Sequence, residues 1–139
     1  MVRDEGFGGI PTALPGQLRG TVEEAFSCLG ASPGAVVRAC RSAVVRTITL
    51  LEAATEVEMF DLPWHQRING LVERGTVSEI TGIGMHTIFN LRDATEYRGA
   101  RPSFSDAEAC LGLLIAVLRA TFPMDGPRSS ALTAVGAGA

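Results

Sequence analysis

The sequence predicts an all-α fold, a bundle of four to five mostly antiparallel helices around one long central helix. Apolar residues recur at helical spacing, and no strand-like alternation or hairpin signal occurs along the chain. Gly30, Pro63, Gly75 and Gly99 divide the chain into segments of helical length. With 139 residues, of which 46% are apolar, the chain has the size and composition of a single hydrophobic core.

The long helix is predicted to run from residue 32 to about residue 59. Ser32 is a good N-cap, and Pro33 suits the first helical position because its missing N–H would have no partner there. Such a helix would be roughly 40 Å long. Its apolar positions, three or four residues apart, are Val36, Val37, Cys40, Val44, Ile48, Leu51 and Ala54.

One shorter helix is predicted before the long helix and one after it. Residues 15–29 form the first, with Thr21 and Glu24 spaced either as a capping box or on its exposed face. The short link at residues 30–31 makes it an antiparallel hairpin with the long helix. A helix of two to three turns follows Pro63 and has its apolar positions at Trp64, Ile68, Leu71 and Val72.

The fourth helix is predicted to open at a capping-box pair, Thr76 with Glu79, and to end near residue 98. Gly82 and Gly84 each cost roughly 1 kcal/mol relative to alanine, so this end is predicted to be a weak helix or a loop. The predicted inner face consists of Ile80, Ile83, Ile88 and Leu91.

The fifth helix is predicted to open at Ser105 and Glu108 and to stop at Pro123, which makes residues 15–123 one helical domain. Its predicted inner face consists of Leu111, Leu114, Ile115, Leu118 and Phe122. Residues 1–14 are Gly-rich without an apolar period, and we expect a flexible arm that orders only against a partner. Residues 124–139, rich in Gly and Ala, are expected to be a disordered tail.

Composition excludes several classes of function. The net charge of −3 lacks the strongly basic character of a DNA-binding domain. No apolar run is long enough to span a bilayer and no secretory signal follows the charged start, so we expect a cytoplasmic protein without a membrane partner. The basic residues are all arginine, which is typical of a GC-rich bacterial or phage genome.

The cysteines and histidines do not have metal-ligand spacing. Cys28, Cys40 and Cys110 are far apart and form no CxxC pair, and His65 and His86 are the two imidazoles of the sequence. We therefore expect free, buried thiols and neither a metal site nor a cofactor. Neither histidine has the spacing of a nucleophilic triad, and we expect His65 to be exposed and His86 to be partly buried with a backbone partner.

Three segments carry a family resemblance: residues 14–44, 62–80 and 91–118. They are a short helix leading to a long one, a leucine–short helix–glycine unit, and a polar helix end followed by a capped apolar helix. In this order they resemble HEPN (higher eukaryotes and prokaryotes nucleotide-binding) domains, as found in domains of unknown function beside restriction-endonuclease subunits. The resemblance covers about residues 14–122. It implies a homodimer and an accessory role in a defence, restriction or toxin–antitoxin system.

Active HEPN ribonucleases carry an arginine followed a few residues later by a histidine. The corresponding stretch has Arg92 in place, but Tyr97 stands where the histidine would be. A phenol of pKa about 10 is a poor proton acceptor near neutral pH. The resemblance therefore implies a non-catalytic binding or assembly module with a protein, RNA or nucleotide partner. One alternative is a divergent metal-independent ribonuclease that uses Arg92, Glu96 and Tyr97 or an imidazole from elsewhere.

A second alternative is a scaffold protein that its flexible ends tether to a larger assembly. Arg92 and Glu96 have the four-residue spacing of a helical ion pair, which is the structural interpretation of the same stretch. Trp64 is predicted to be an anchor in the core or in an interface.

Three arginines of the long helix, Arg38, Arg41 and Arg46, have two interpretations. They form either an anion pocket or pairs with carboxylates of a facing helix. The second interpretation predicts an inward-facing Arg38, paired across the bundle or across a dimer interface. The candidate carboxylates are Glu52, Glu56, Asp93 and Glu96.

Overall fold

The computed structural model describes residues 11, 13–56, 59 and 61–122. Within these residues the chain forms five α-helices and no strand, which confirms the predicted all-α bundle. The helices are α1 (Gly16–Cys28), α2 (Pro33–Ala54), α3 (Trp64–Glu73), α4 (Glu79–Tyr97) and α5 (Phe104–Thr121).

The two predicted terminal segments lie almost entirely outside the described residues. The predicted tail, residues 124–139, is wholly outside them. Of the predicted arm, Pro11 and Leu14 are described and both are buried. The Arg19 guanidinium donates a hydrogen bond of 2.8 Å to the carbonyl oxygen of Pro11. The folded core therefore begins before α1.

Helix α2 is the centre of the bundle, because it packs against each of the other four helices. The Ser32 hydroxyl accepts a 3.3 Å hydrogen bond from the Ala35 amide, and Pro33 occupies the first helical position, as predicted. The helix has 22 residues and is about 33 Å long. It ends at Ala54, a few residues earlier than predicted.

The predicted apolar faces of α1, α2, α3 and α5 form one core, except that Ala54 at the end of α2 is exposed. The long apolar side chains of this core that have less than 2% exposure come from all five helices. They include Leu18 and Val22 of α1, Ile48 of α2, Ile68 and Leu71 of α3, Met85 and Ile88 of α4, and Leu111, Leu114, Ile115 and Leu118 of α5.

The predicted inner face of α4 is wrong in its first half. Ile80 is 82% exposed and Ile83 is 64% exposed. The residues that face the bundle there include Gly82, Gly84 and Met85, which lie close to Ile83 in the sequence. The helix is therefore rotated relative to the prediction, and two large apolar side chains lie at the surface.

The two glycines explain this rotation. A β-carbon on Gly82 would lie 2.6 Å from Cγ2 of Val72 in α3, and one on Gly84 would lie 3.0 Å from Cγ2 of Val117 in α5. These close contacts let α4 approach both neighbouring helices. The prediction that Gly82 and Gly84 loosen this end into a loop is therefore wrong, because the packing outweighs the helix propensity.

The predicted caps of α4 and α5 are displaced. Ser78 caps α4 by accepting a 3.1 Å hydrogen bond from the Thr81 amide, instead of a pair formed by Thr76 and Glu79. Helix α5 opens with a capping box of Ser103 and Asp106, two residues before the predicted one. At α5 the sequence offers two pairs with Ser-x-x-acid spacing, Ser103 with Asp106 and Ser105 with Glu108. The earlier pair, which immediately follows Pro102, forms the capping box.

Thr21 takes no part in a capping box. It lies inside α1, and its hydroxyl donates a 3.1 Å hydrogen bond to the carbonyl oxygen of Gln17, one turn earlier. This is the common arrangement of a threonine within a helix. The first helix therefore begins at Gly16, early in the predicted segment, and not at Thr21.

We expect Gly82→Ala to destabilise the protein although alanine is the better helix former. Overpacking costs about 1–3 kcal/mol, which exceeds the gain of about 1 kcal/mol in helix propensity. Gly20→Ala in α1 is the matched control, because nothing lies within 4 Å of a β-carbon there. Urea unfolding should give a lower midpoint for Gly82→Ala and a higher one for Gly20→Ala; a higher midpoint for both would contradict the packing argument.

Candidate functional site

A polar cavity of about 410 Å³ lies between α2, α3 and α4. Its lining combines charged, imidazole and aromatic side chains from the three helices. From α2 comes Arg41, from α3 come Trp64 and His65, and from α4 come His86, Phe89, Asn90, Arg92, Asp93 and Tyr97.

Helical periodicity places the α4 residues on one face. His86, Asn90, Asp93 and Tyr97 are separated by four, three and four residues, so they follow one another along the helix. The first turn of α3 crosses this face and adds His65. The cavity therefore brings together His65 and His86, which are 21 positions apart in the sequence.

Arg41 lies in aromatic surroundings. Its guanidinium carbon is 5.8 Å from the Trp64 ring centroid and 5.3 Å from that of Phe89, and the two rings stack with centroids 5.9 Å apart. Its Nε is buried and has no hydrogen-bond partner among the described residues. Burial and the neighbouring Arg92 guanidinium lower the pKa of Arg41. An anion in the cavity would offset the repulsion between the Arg41 and Arg92 guanidinium groups.

Arg92 and Tyr97, the two residues of the sequence motif, are in contact. Nη1 of Arg92 donates a 3.2 Å hydrogen bond to the Tyr97 hydroxyl, and the guanidinium lies 5.3 Å from the ring centroid. This hydrogen bond raises the pKa of Arg92. The nearest ion pair of Arg92 is with Asp93, at 3.5 Å, and not with Glu96 as the four-residue spacing suggested.

The two imidazoles of the sequence line the same cavity. Nε2 of His86 lies 2.9 Å from the side-chain oxygen of Asn69, which is an acceptor, so the proton is assigned to Nε2. The predicted backbone partner of His86 is therefore replaced by a side chain of α3. Burial, and then the neighbouring His65, lower the pKa of His86. Near pH 7 its imidazole is neutral, with Nδ1 as a proton acceptor.

The structure separates Arg38 from the other two arginines of α2, Arg41 and Arg46, which line a second cavity together. Only Arg41 lines the polar cavity. The Arg38 side chain is 54% exposed and lies 3.9 Å from Glu96 on the facing helix, so it is paired as predicted but does not face inward. Arg46 donates a 3.1 Å hydrogen bond to the Gln17 side chain on α1. The predicted three-arginine pocket is not formed as one site.

Trp64 is partly buried against the core and lines the cavity, which fits its predicted role as an anchor. The Arg67 guanidinium carbon lies 4.0 Å from its ring centroid. The Trp64 ring therefore has Arg67, Phe89 and Arg41 as its neighbours.

Sequence reasoning missed a buried ion pair between Arg67 and Glu52. Nε of Arg67 lies 3.2 Å and 3.1 Å from the two carboxylate oxygens of Glu52, and Nη2 also contacts Oε1. The side chains are 7% and 1% exposed. The available signal is that Glu52 follows Ile48 by four residues on the apolar stripe of α2, and that Arg67 directly precedes the core residue Ile68.

Neither a metal site nor a membrane span is found in the part of the chain that the structure describes. No group of three or more His, Cys, Asp or Glu side chains there is placed to hold a metal ion. None of the described helices is long and apolar enough to cross a membrane. The three cysteines are free thiols, with Cys40 and Cys110 buried and Cys28 half-buried.

No protein-family model matches the chain, and neither the curated proteins nor the solved structures provide a match. The fold and the site together define an all-α bundle with a polar cavity that is lined by arginine, imidazole and aromatic side chains. Its relationship to HEPN domains stays a prediction.

We expect Arg67→Met to destabilise the protein by about 3–5 kcal/mol, because the Glu52 carboxylate would stay buried without its partner. The double variant Glu52→Leu/Arg67→Met should recover most of this loss, since it removes both charges. Arg38→Met, at the exposed pair, is the control and should cost no more than about 1 kcal/mol. Urea unfolding measures all three; equal losses for Arg67→Met and Arg38→Met would contradict the assignment.

Proposed function

We propose that this protein is a non-catalytic binding module whose polar cavity holds the phosphate group of single-stranded RNA or a nucleotide. The observation that carries the proposal is the convergence of two guanidinium groups, those of Arg41 and Arg92, from two helices on one cavity. Guanidinium groups bind phosphate oxygens through paired, charge-assisted hydrogen bonds.

The charge of the cavity supports an anionic ligand. Arg41 and Arg92 line it together with one carboxylate, that of Asp93. Protonation of His86 would add further positive charge. The cavity is thus a positively charged place on a chain whose net charge is −3.

Tyr97 supports a ligand that carries a base. Its ring is 75% exposed and stands beside the Arg92 guanidinium. Exposed aromatic rings next to arginines are the stacking surfaces that single-stranded nucleic-acid-binding proteins use. A phosphate between Arg41 and Arg92 would leave a neighbouring base within reach of this ring.

We expect the protein to bind a short 2′-O-methyl RNA, and we expect Arg41→Ala and Arg92→Ala each to weaken binding roughly 10- to 100-fold. This is the loss of one or two hydrogen bonds to a charged group. Arg46→Ala, on the same helix as Arg41 but outside the cavity, should bind as the wild type does. Titration calorimetry at a fixed salt concentration makes the measurement.

The pH dependence of the same titration gives a second readout. A phosphodiester keeps its single negative charge on mild acidification, whereas His86 gains a proton as the pH falls through its pKa, which burial and His65 lower. Binding should therefore tighten on acidification, and His86→Gln should reduce that gain. The proposal would be overturned if Arg46→Ala weakened RNA binding as much as Arg41→Ala does.

A metal-independent ribonuclease is the second candidate, favoured by the presence of His65 and His86 in the cavity with Arg92. Neutral His86 would take the proton of the ribose 2′-hydroxyl, whose oxygen attacks phosphorus. The 5′-oxygen would leave with a proton from His65, which gives a 2′,3′-cyclic phosphate. The arginines would stabilise the charge that develops on the phosphoryl oxygens.

We expect this candidate, if correct, to cleave unmodified RNA in the presence of EDTA and to leave 2′-O-methyl RNA intact. His65→Ala and His86→Ala should each lower the rate about 10²- to 10⁴-fold, because each removes a proton-transfer group. Arg46→Ala should keep full activity. Absence of cleavage by a wild-type protein that binds the 2′-O-methyl RNA would reject the ribonuclease and retain the binding module.

Homodimer formation and a role in a defence, restriction or toxin–antitoxin system stay predictions, as does the scaffold alternative. Ile80 and Ile83 are exposed apolar residues of α4 on which a dimer contact would be sought. Sedimentation velocity of the wild type decides whether the chain self-associates.

A further inference from the structure

A second cavity of about 640 Å³, which we call the acyl groove, lies along α1 and α2. Its apolar wall is formed by Pro15, Leu18, Val45 and Leu50. We propose that this groove binds an amphipathic carboxylate, with an acyl chain along the apolar wall and the carboxylate at Arg46. Arg41 lines both cavities, but Arg46 lines only the groove and Arg92 only the polar cavity, so the two proposed ligands can be tested separately.

The size of the groove suits a small ligand. Small-molecule sites in proteins have volumes of about 300–1,000 Å³ and mostly apolar walls. A single acyl chain with a terminal carboxylate matches this combination of an apolar wall and an arginine without an acidic partner.

The charge of the groove calls for an anion. Arg41 and Arg46 line it, and the lining contains no carboxylate. Arg46 forms no ion pair with any described residue, and its hydrogen bond goes to the neutral side-chain amide of Gln17. A carboxylate at this point would meet a guanidinium group that has no acidic partner in the described part of the chain.

The start of α1 adds to this preference. Gly16 and Gln17, the first residues of α1, line the groove, and no acidic residue lies in this first turn. Pro15 is the N-cap and provides no capping hydrogen bond. The first amides of a helix have no intrahelical acceptors and favour a negative charge. The same end of the groove therefore offers both backbone donors and Arg46.

The test is titration calorimetry of the full chain with sodium decanoate, below the concentration at which it forms micelles. Decan-1-ol has the same chain length without the charge. We expect decanoate to bind at least 10-fold more tightly than decan-1-ol, and Arg46→Ala to remove that difference. Arg46→Lys should restore part of it, because the cation is kept and the paired donors are lost.

Control variants separate this site from the polar cavity. Arg92→Ala, which should weaken RNA binding, should leave decanoate binding unchanged, as should Arg119→Ala on the exposed face of α5. Equal binding of decanoate and decan-1-ol, or no binding of decanoate at millimolar concentration, would overturn the proposal. So would loss of decanoate binding in Arg92→Ala but not in Arg46→Ala, which would place the ligand in the polar cavity.

A protein partner is the competing occupant. An acidic amphipathic peptide that binds in an Arg46-dependent manner, while decanoate does not bind, would replace the acyl ligand with a partner helix and overturn the proposal. Absence of decanoate binding does not affect the phosphate proposal, which is tested by the loss of RNA binding in Arg92→Ala.

Discussion

The buried ion pair between Glu52 and Arg67 is the interaction on which the site depends. It joins α3 to the central helix, and the same guanidinium lies over the Trp64 ring. Trp64 in turn stacks on Phe89, and Arg41 lies beside both rings. Two buried charges are costly, and they are tolerated because Arg67 bonds to both carboxylate oxygens. Among the described residues, it is the ion pair that joins α3 to α2.

The sequence predicted the helices well and their contacts less well. The period of α2 and α5 is made by large apolar side chains, and large apolar side chains are what a periodicity search detects. In α4 the contacts are made by Gly82 and Gly84, which allow close helix packing because they have no side chain. A search for apolar periodicity therefore assigned the inner face to Ile80 and Ile83. Close helix packing depends on the partner surfaces, which local sequence does not contain.

The candidate site divides in the same way. Arg92 and Tyr97 were found from a motif because they lie within one and a half turns of one helix. The sequence does not predict that His65 and His86 share a site, since 21 residues separate them and only the crossing of α3 and α4 brings them to one cavity. Glu52 and Arg67 are 15 residues apart on different helices, and a buried charge can be assigned a partner only when the tertiary structure is known.

The distribution of carboxylates explains why both candidate sites use the central helix. Arg67 and Arg92 each lie beside an acidic side chain, Glu52 and Asp93, which compensates part of their charge. Arg41 and Arg46 of α2 have no ion pair with any described residue, and each lines a cavity. A chain of net charge −3 thus has an excess of positive charge at two concave places. Recognition of an anion there does not require a basic protein, because over a few ångströms the local arrangement outweighs the net charge.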